Sequence, residues 1–203
     1  MGKGAPAFGP VEPVTLAGRV VRLEPLTRGH LDALAEIAYE PSLWHWTNAR
    51  VTDRASLAAY VDEALAAGQS ESTIPFATVS LAENRVVGST RFLDIVVRDS
   101  RVEIGATWVA VPFQRSPVNT EAKYLMLRHA FETLGAVRVA LKTHAKNDKS
   151  RAAIERLGAQ FEGIHRKQML QPDGTRRDTA WYSIVDDEWP AVKARLEARL
   201  DRN

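Results

Sequence analysis

The sequence predicts a single α/β domain built on a mixed, mostly antiparallel sheet flanked by helices. Three observations predict it. Apolar residues recur at helical steps in some stretches and alternate strand-like in others, with short turns between. Three strand-like runs in the middle of the chain follow one another closely, as in an antiparallel meander. Neither an internal repeat nor a second composition regime divides the 203 residues, a length that suits one sizeable core.

The elements follow in order. Residues 1–13, rich in Gly, Pro and Ala, read as a flexible N-terminal tail, and residues 14–203 as the domain. That tail lacks the apolar core of a signal peptide, and Pro6 breaks the myristoylation pattern that Gly2 would begin. Residues 18–26 alternate as a half-buried strand does. Thr27 then caps a helix through Ala38, with Leu31, Leu34, Ala35 and Ala38 at helical spacing, and Pro41 ends it. Thr52 or Asp53 starts a second helix, with Leu57, Tyr60, Val61 and Leu65 on one face and Gly68 near its stop. Residues 75–81, 86–97 and 102–111 read as the meander, with Asn84 in the first turn. A third helix follows, its inner face marked by Tyr124, Leu127, Phe131 and Leu134 and its end by Gly135. Residues 137–141 form a short apolar strand. A helix over about 148–157 closes at Gly158. Residues 161–170 and 179–185 pair as a hairpin turned at Pro172-Asp173-Gly174. A last helix spans about 187–200, with alternating charges on an exposed side.

Composition excludes several function classes. The 27 basic and 25 acidic residues leave a net charge of +2, no footprint for nucleic acid or an anionic membrane, although a pI near 9.0 allows a local basic patch. The absence of cysteine removes disulfides, thiolate nucleophiles and cysteine metal sites. No apolar run reaches the roughly 20 residues that a membrane span needs, and the expected compartment is the cytoplasm. The five histidines have no spacing that suggests a metal.

Two segments carry the candidate chemistry. Gln114-Arg115-Ser116-Pro117-Val118-Asn119-Thr120 links the third meander strand to a helix. A helix start aims free N–H groups and a positive dipole end at one point, which suits a phosphate. Ser116 is a good N-cap, Pro117 fits the first helical position, and Arg115 adds charge. An ordinary strand-to-helix turn is the plainer reading. The second segment, Asn147-Asp148-Lys149-Ser150 followed by Ile154, Glu155, Leu157 and Gly158, opens the next helix. There Asn147 reads equally as a simple N-cap. Function requires both helix starts to face one cleft at the carboxyl edge of neighbouring strands.

In this order and spacing the two segments resemble the GNAT superfamily of acyl-CoA N-acyltransferases, in the branch of the ribosomal-protein alanine acetyltransferases, over residues 18 to about 189. Residues 114–119 align with the family's pyrophosphate loop, whose pattern is Gln or Arg, two variable residues, Gly, one variable residue, then Gly or Ala. Asn119-Thr120-Glu121-Ala122-Lys123 matches a version common in that branch. Asn147 and Ser150, with Glu155, Leu157 and Gly158, match the second cofactor segment. The match departs where Pro117 and Asn119 replace small residues and where Ile154 stands at the position of a frequent tyrosine general acid. The resemblance implies acetyl-CoA as co-substrate, no metal, and direct attack of an amine on the thioester. It implies that the main chain of Trp108, Val109 and Val111 lies beside the pantetheine arm, where a free N–H serves the oxyanion. The pyrophosphate then rests on the N–H groups of Arg115, Ser116, Val118, Asn119 and Thr120. Glu103 is the candidate base, acting directly or through water, with a surface strand carboxylate as the plainer reading; Ser150 is the candidate proton donor to the leaving thiolate, and Asn147 a hydrogen-bond partner of the cofactor arm. Trp44-His45-Trp46 falls where the family builds its acceptor wall, although packed aromatic anchors would look the same. His165-Arg166-Lys167 and Arg176-Arg177-Asp178 read as solvated strand-edge charge, with Asp178 able to pin the hairpin. Exposed apolar residues of the last helix or hairpin are candidates for a homodimer contact.

The expected function is therefore acetyl-CoA-dependent acetylation of a small amine or a peptide N-terminus. A catalytically silent acyl-CoA-binding module is the alternative, favoured by Pro117 and Ile154. A nucleic-acid-binding domain is a third reading, opposed by the near-neutral charge.

Overall fold

The computed structural model describes residues 8–70 and 72–202. One eight-stranded sheet runs in the order β1-β2-β3-β4-β5-β6-β8-β7. Its strands are β1 (Leu16–Ala17), β2 (Val21–Pro25), β3 (Ile74–Ser80), β4 (Arg85–Val96), β5 (Arg101–Val109), β6 (Arg138–His144), β7 (Gln160–Leu170) and β8 (Arg176–Val185). The helices are α1 (Leu31–Ala35), α2 (Arg54–Gly68), α3 (Pro117–Arg128), α4 (Asp148–Leu157) and α5 (Trp189–Leu200). β2 to β5 form the expected antiparallel meander. Among the described residues only β5 and β6 are parallel, and their ladder holds three pairs, from Arg101↔Arg138 to Glu103↔Ala140.

The middle of the sheet, β3 to β5, is covered on both faces, whereas β7 is largely exposed. One core gathers Phe76, Phe92, Ile104, Leu125, Met126, Val139, Tyr182 and Trp189. The other gathers Leu34, Trp44, Leu57, Val61, Ala77, Val86 and Trp108 under α1 and α2. This is why β3 is apolar or buried at every position instead of alternating.

Local chemistry accounts for the helix ends. Asp53 caps α2 by accepting from Ser56 N at 2.8 Å, and Ser56 Oγ in turn accepts from Asp53 N. Ser116 caps α3, with Pro117 at its first position. Beyond Arg128 the helix widens into a π-type turn to Thr133, and Gly135 leaves it at φ +70°. The first helix is shorter than its periodicity predicts. Residues 28–30 form a 3₁₀ turn, and Leu34 O accepts from both Ile37 N and Ala38 N, so the last turn tightens after Ala35.

Two strands run longer than the apolar pattern indicates. β6 continues through Lys142, Thr143 and His144, and β8 begins at Arg176. In both, polar side chains lie against the sheet rather than in solvent, so hydrophobicity does not mark them. Asp178 pins the hairpin as expected, accepting from Lys167 N at 2.7 Å. Of the tail, residues 1–7 lie outside the described residues. Residues 8–13 differ from a loose tail: Gly9 N donates to Leu134 O at 2.8 Å, and Phe8 and Val11 pack on the core. The last helix turns Trp189, Val192 and Leu196 into the core, so it offers less apolar surface than expected. The exposed apolar residues of the hairpin are Phe161, Ile164 and Leu170, on the edge strand β7.

One buried carboxylate ties the N-terminal strands to α3. Glu121 accepts from the N–H groups of Arg19, Val20 and Val21 at 2.9, 2.6 and 2.7 Å. Gly18 makes room for it, since a Cβ there would stand 2.4 Å from Glu121 Oε2. Glu121→Ala would strand three backbone donors. It is expected to cost about 3 kcal/mol of unfolding free energy, measured by urea denaturation.

Candidate active site

Where β5 and β6 part, the structure opens a wedge. No ladder pair joins them beyond Glu103, yet β5 runs on to Val109 and β6 to His144. A β-bulge accompanies the divergence. Between the pairs Ser89↔Trp108 and Arg91↔Gly105, β4 has one residue, Thr90, and β5 has two, Ala106 and Thr107. Ala106 takes the left-handed conformation at φ +47°.

The two segments singled out in the sequence meet at this wedge. Gln114 Nε2 donates to Val109 O at 2.9 Å, and Gln114 Oε1 accepts from Lys149 Nζ. The end of β5, the loop before α3 and the first turn of α4 are thereby joined by one side chain. Gln114, expected among the ligand contacts, also acts as a strut. Arg115 is exposed and left-handed at φ +63°. Ser116 donates to Phe113 O at 2.6 Å and accepts from Val118 N at 3.3 Å, so its hydroxyl and the Val118 N–H serve the cap. Pro117 removes one donor. In α3 Pro117 is N1, Val118 N2 and Asn119 N3, so the Asn119 N–H has no acceptor within the helix, whereas Thr120, at N4, begins the regular ladder with the Ser116 carbonyl as its acceptor. The Oδ1 of Asn119 is buried without a protein partner.

At the second helix start, Asn147 Oδ1 accepts from Ser150 N at 3.1 Å, so the cap reading of Asn147 is realised. Ser150 is half-buried on the first turn of α4. Ile154 belongs to the core. The backbone of Trp108 and Val109 lies along the wedge, while the Trp108 ring packs 5.3 Å from Trp44 in the α2-side core. Val111 stands exposed just beyond β5.

Glu103, the last β5 residue paired with β6, is 2% exposed. Lys142 Nζ lies 2.8 Å from its Oε2. Gly105 leaves the carboxylate its space, since a Cβ there would stand 2.8 Å from Glu103 Oε1. Burial pushes the Glu103 carboxyl above the usual carboxylate range. The Lys142 ammonium and the more distant Arg177 guanidinium pull it back without cancelling the rise.

The aromatic triplet divides. Trp44 is a core anchor, its Nε1 donating to Ala38 O at 2.7 Å. His45 is exposed. Trp46 reaches the wedge side, its ring 4.8 Å from His144 and its carbonyl accepting from Arg177 Nη1 at 3.4 Å. Arg177 is the clearest departure from the expected solvated edge. It is 6% exposed, its Nε has no protein partner, and burial pushes it below its ordinary pKa. Lys142, His144, Arg177 and Trp181, whose ring lies 4.9 Å from Lys142 Nζ, complete this wall. Their signal in the sequence was available only as polar residues continuing two strand patterns. Among the described residues no group of three or more His, Asp or Glu side chains could hold a metal, and no helix is long and apolar enough to cross a membrane.

This wedge, with two helix starts at its mouth and a buried carboxylate at its apex, is the architecture of an acyltransferase. The chain matches the acetyltransferase (GNAT) domain family over residues 21–160 and belongs to that family, whose activity is N-acetyl transfer. It is similar to a GCN5-related N-acetyltransferase from Brucella melitensis at 34% identity and TM-score 0.85, covering 96% of this chain and 89% of that one. A Bacillus subtilis (strain 168) protein with the provisional name ribosomal N-acetyltransferase YdaF is 37% identical over 93 residues, 46% of this chain. The match spans half of that relative's length. Mycobacterium smegmatis RimJ, in complex with CoA-disulfide, shares the fold at TM-score 0.80 and 22% identity, over 95% of this chain and 97% of that one.

Lys142→Met is expected to raise the Glu103 carboxyl further, because it removes the nearest opposing charge. Carbon-13 NMR titration of the Glu103 carboxyl in the two proteins measures the displacement, and an unchanged midpoint contradicts the pairing.

Proposed function

We propose that residues 14–203 form one domain that acetylates the primary amine of a peptide N-terminus or a small molecule by direct transfer from acetyl-CoA, in the cytoplasm. The observation that carries this reading is the meeting of two sequence-distant helix starts at the β5–β6 wedge, made by the Val109–Gln114–Lys149 connection. The local groups suit the ligand. The α3 start offers first-turn N–H groups and the positive helix end to a diphosphate, with Arg115 beside it. The parted β5 edge at Trp108 and Val109 offers main chain to an amide-bearing arm and, at its inner end, a donor to an oxyanion.

Acetyl-CoA supplies the electrophilic thioester carbonyl. Glu103 takes the proton of the attacking amine, directly or through one water. A carboxyl raised by burial is a stronger base than an exposed one, and the Lys142 ammonium beside it favours its charged form. Ser150 protonates the departing thiolate, a step that contributes little because a thiolate leaves readily without help. Trp46 and His144 border the acceptor, and Arg177 holds the Trp46 carbonyl.

The test is release of free CoA with peptides beginning in Ala or Ser, polyamines, amino acids and aminoglycosides, beside calorimetric titration with CoA. Turnover with one acceptor class supports the reading. Binding without release from any amine supports the silent module, and no binding removes the reading altogether. Glu103→Gln is expected to lower kcat by about 10²–10³-fold, whereas Ser150→Ala stays within a few-fold of the parent.

A further inference from the structure

Lys123 is buried in the middle of the protein without a carboxylate. It projects from α3 and is 5% exposed. Its Nζ donates to Thr90 Oγ1 at 2.9 Å and to Thr107 Oγ1 at 2.5 Å. These two threonines are the single β4 residue and one of the two β5 residues that face each other across the bulge. They lie 2.8 Å apart, and Thr107 Oγ1 also reaches Gly105 O at 3.3 Å. The ammonium therefore plugs the bulge from beneath. It does so from the same helix whose first turn forms the candidate phosphate site.

The fold by itself gives little reason for a charge at this point. Thr90 and Thr107 can bond to each other and to Gly105 O without it. A buried ammonium with only neutral partners costs free energy, and a methionine of similar length would fill the space more cheaply. Ala106, meanwhile, holds a left-handed conformation that a non-glycine residue keeps only when its surroundings impose it. Two things are thus sustained at a cost: a left-handed alanine and a lone cation beneath it.

We propose that Lys123 is a positioning residue of the acetyl-transfer site: its ammonium sets the β5 bulge, and with it the strand edge against which the thioester arm lies, in register with the phosphate-loop helix. This rests on the acetyl-transfer reading above. The cation acts through Thr107 and the 105–107 main chain and does not touch substrate. No ionisable side chain of β4 or β5 bonds to it. Arg91 is engaged with Tyr60 and Glu103 with Lys142. On α3 itself, Glu121 serves residues 19–21 and Arg128 covers Tyr124. Burial alone pushes Lys123 down to about 7. Its protonated hold on the bulge is therefore complete below neutrality and is lost as pH rises past it. The same shift means that stability rises with pH between about 7 and 10.5, because the unfolded chain binds the proton that the folded one has released.

The test compares the full chain with its Lys123→Met and Thr107→Val variants. It measures kcat and KM from pH 6 to 9, CoA affinity by calorimetry and urea stability. Lys123→Met is expected to equal or exceed the parent in stability at pH 6 while losing at least tenfold in kcat and about fivefold in CoA affinity. It should also lack the fall in kcat that the parent shows above neutrality. Thr107→Val should move in the same directions by less, and it carries the test if the first variant fails to fold. An unchanged kcat and pH profile in Lys123→Met overturns the proposal, as does an activity loss that merely follows lost stability. If the parent releases no CoA with any amine, the acetyl-transfer reading fails. The calorimetric comparison then decides Lys123 alone, with unchanged CoA affinity counting against it.

Discussion

The parting of β5 from β6 after Glu103 is the constraint on which the site depends. Three parallel pairs hold the two halves of the sheet together, and beyond them the strands separate while each remains anchored on its far side, β5 to β4 and β6 to β8. Strands that separate cannot satisfy each other's backbone groups. An edge of main-chain donors and acceptors is therefore left inside the domain without a strand partner, and Gln114 Nε2 takes up one of its acceptors, Val109 O. The β5 bulge makes this possible by adding twist at the point where the strand must turn away. Everything else at the site is arranged around that gap: the α3 and α4 starts at its mouth, Glu103 at its apex, and Trp46 with His144 along its wall.

Charge is distributed unevenly about this gap. Glu103 has Lys142 in contact and Arg177 nearby, while Arg91 and Lys123 are buried with no carboxylate partner among the described residues. Buried cations outnumber buried anions on and around β4, β5 and β8. Such an arrangement weakens a fold taken alone, since each desolvated charge lacks full compensation. It suits a site at which negative charge arrives with a substrate or develops during reaction. Glu121, by contrast, is fully employed in binding three backbone donors and belongs to the architecture.

Much of the fold was legible because its signals are local. Ser116 and Pro117 mark the α3 start, Asp53 the α2 start, and Gly135 and Gly158 the helix ends, each through its own backbone chemistry. The loop before α3 and the Asn147 segment could be named as a pair from order and spacing. The identity of the working side chains was less legible. Gln114 was named for the loop it opens, and its role as a strut between β5 and α4 was not visible. Trp44 looked like acceptor wall and is core. Arg177 looked like a solvated edge and is buried beside Trp46. In each case the deciding quantity is which face of the sheet the side chain meets and what crosses above it, and neither is encoded within a few residues.

The amino-acid sequence by itself determined the element order, the caps, the meander and the two loop-to-helix segments, because hydrophobic period and capping act over short distances along the chain. Only the tertiary structure decided where β5 leaves β6, that Lys142 meets Glu103, and that Lys123 lies beneath a bulge bridging Thr90 and Thr107. Those contacts join residues brought together by strand register and helix packing. Their energies depend on burial and on partners distant in the chain, so they exist only once the sheet has closed around them.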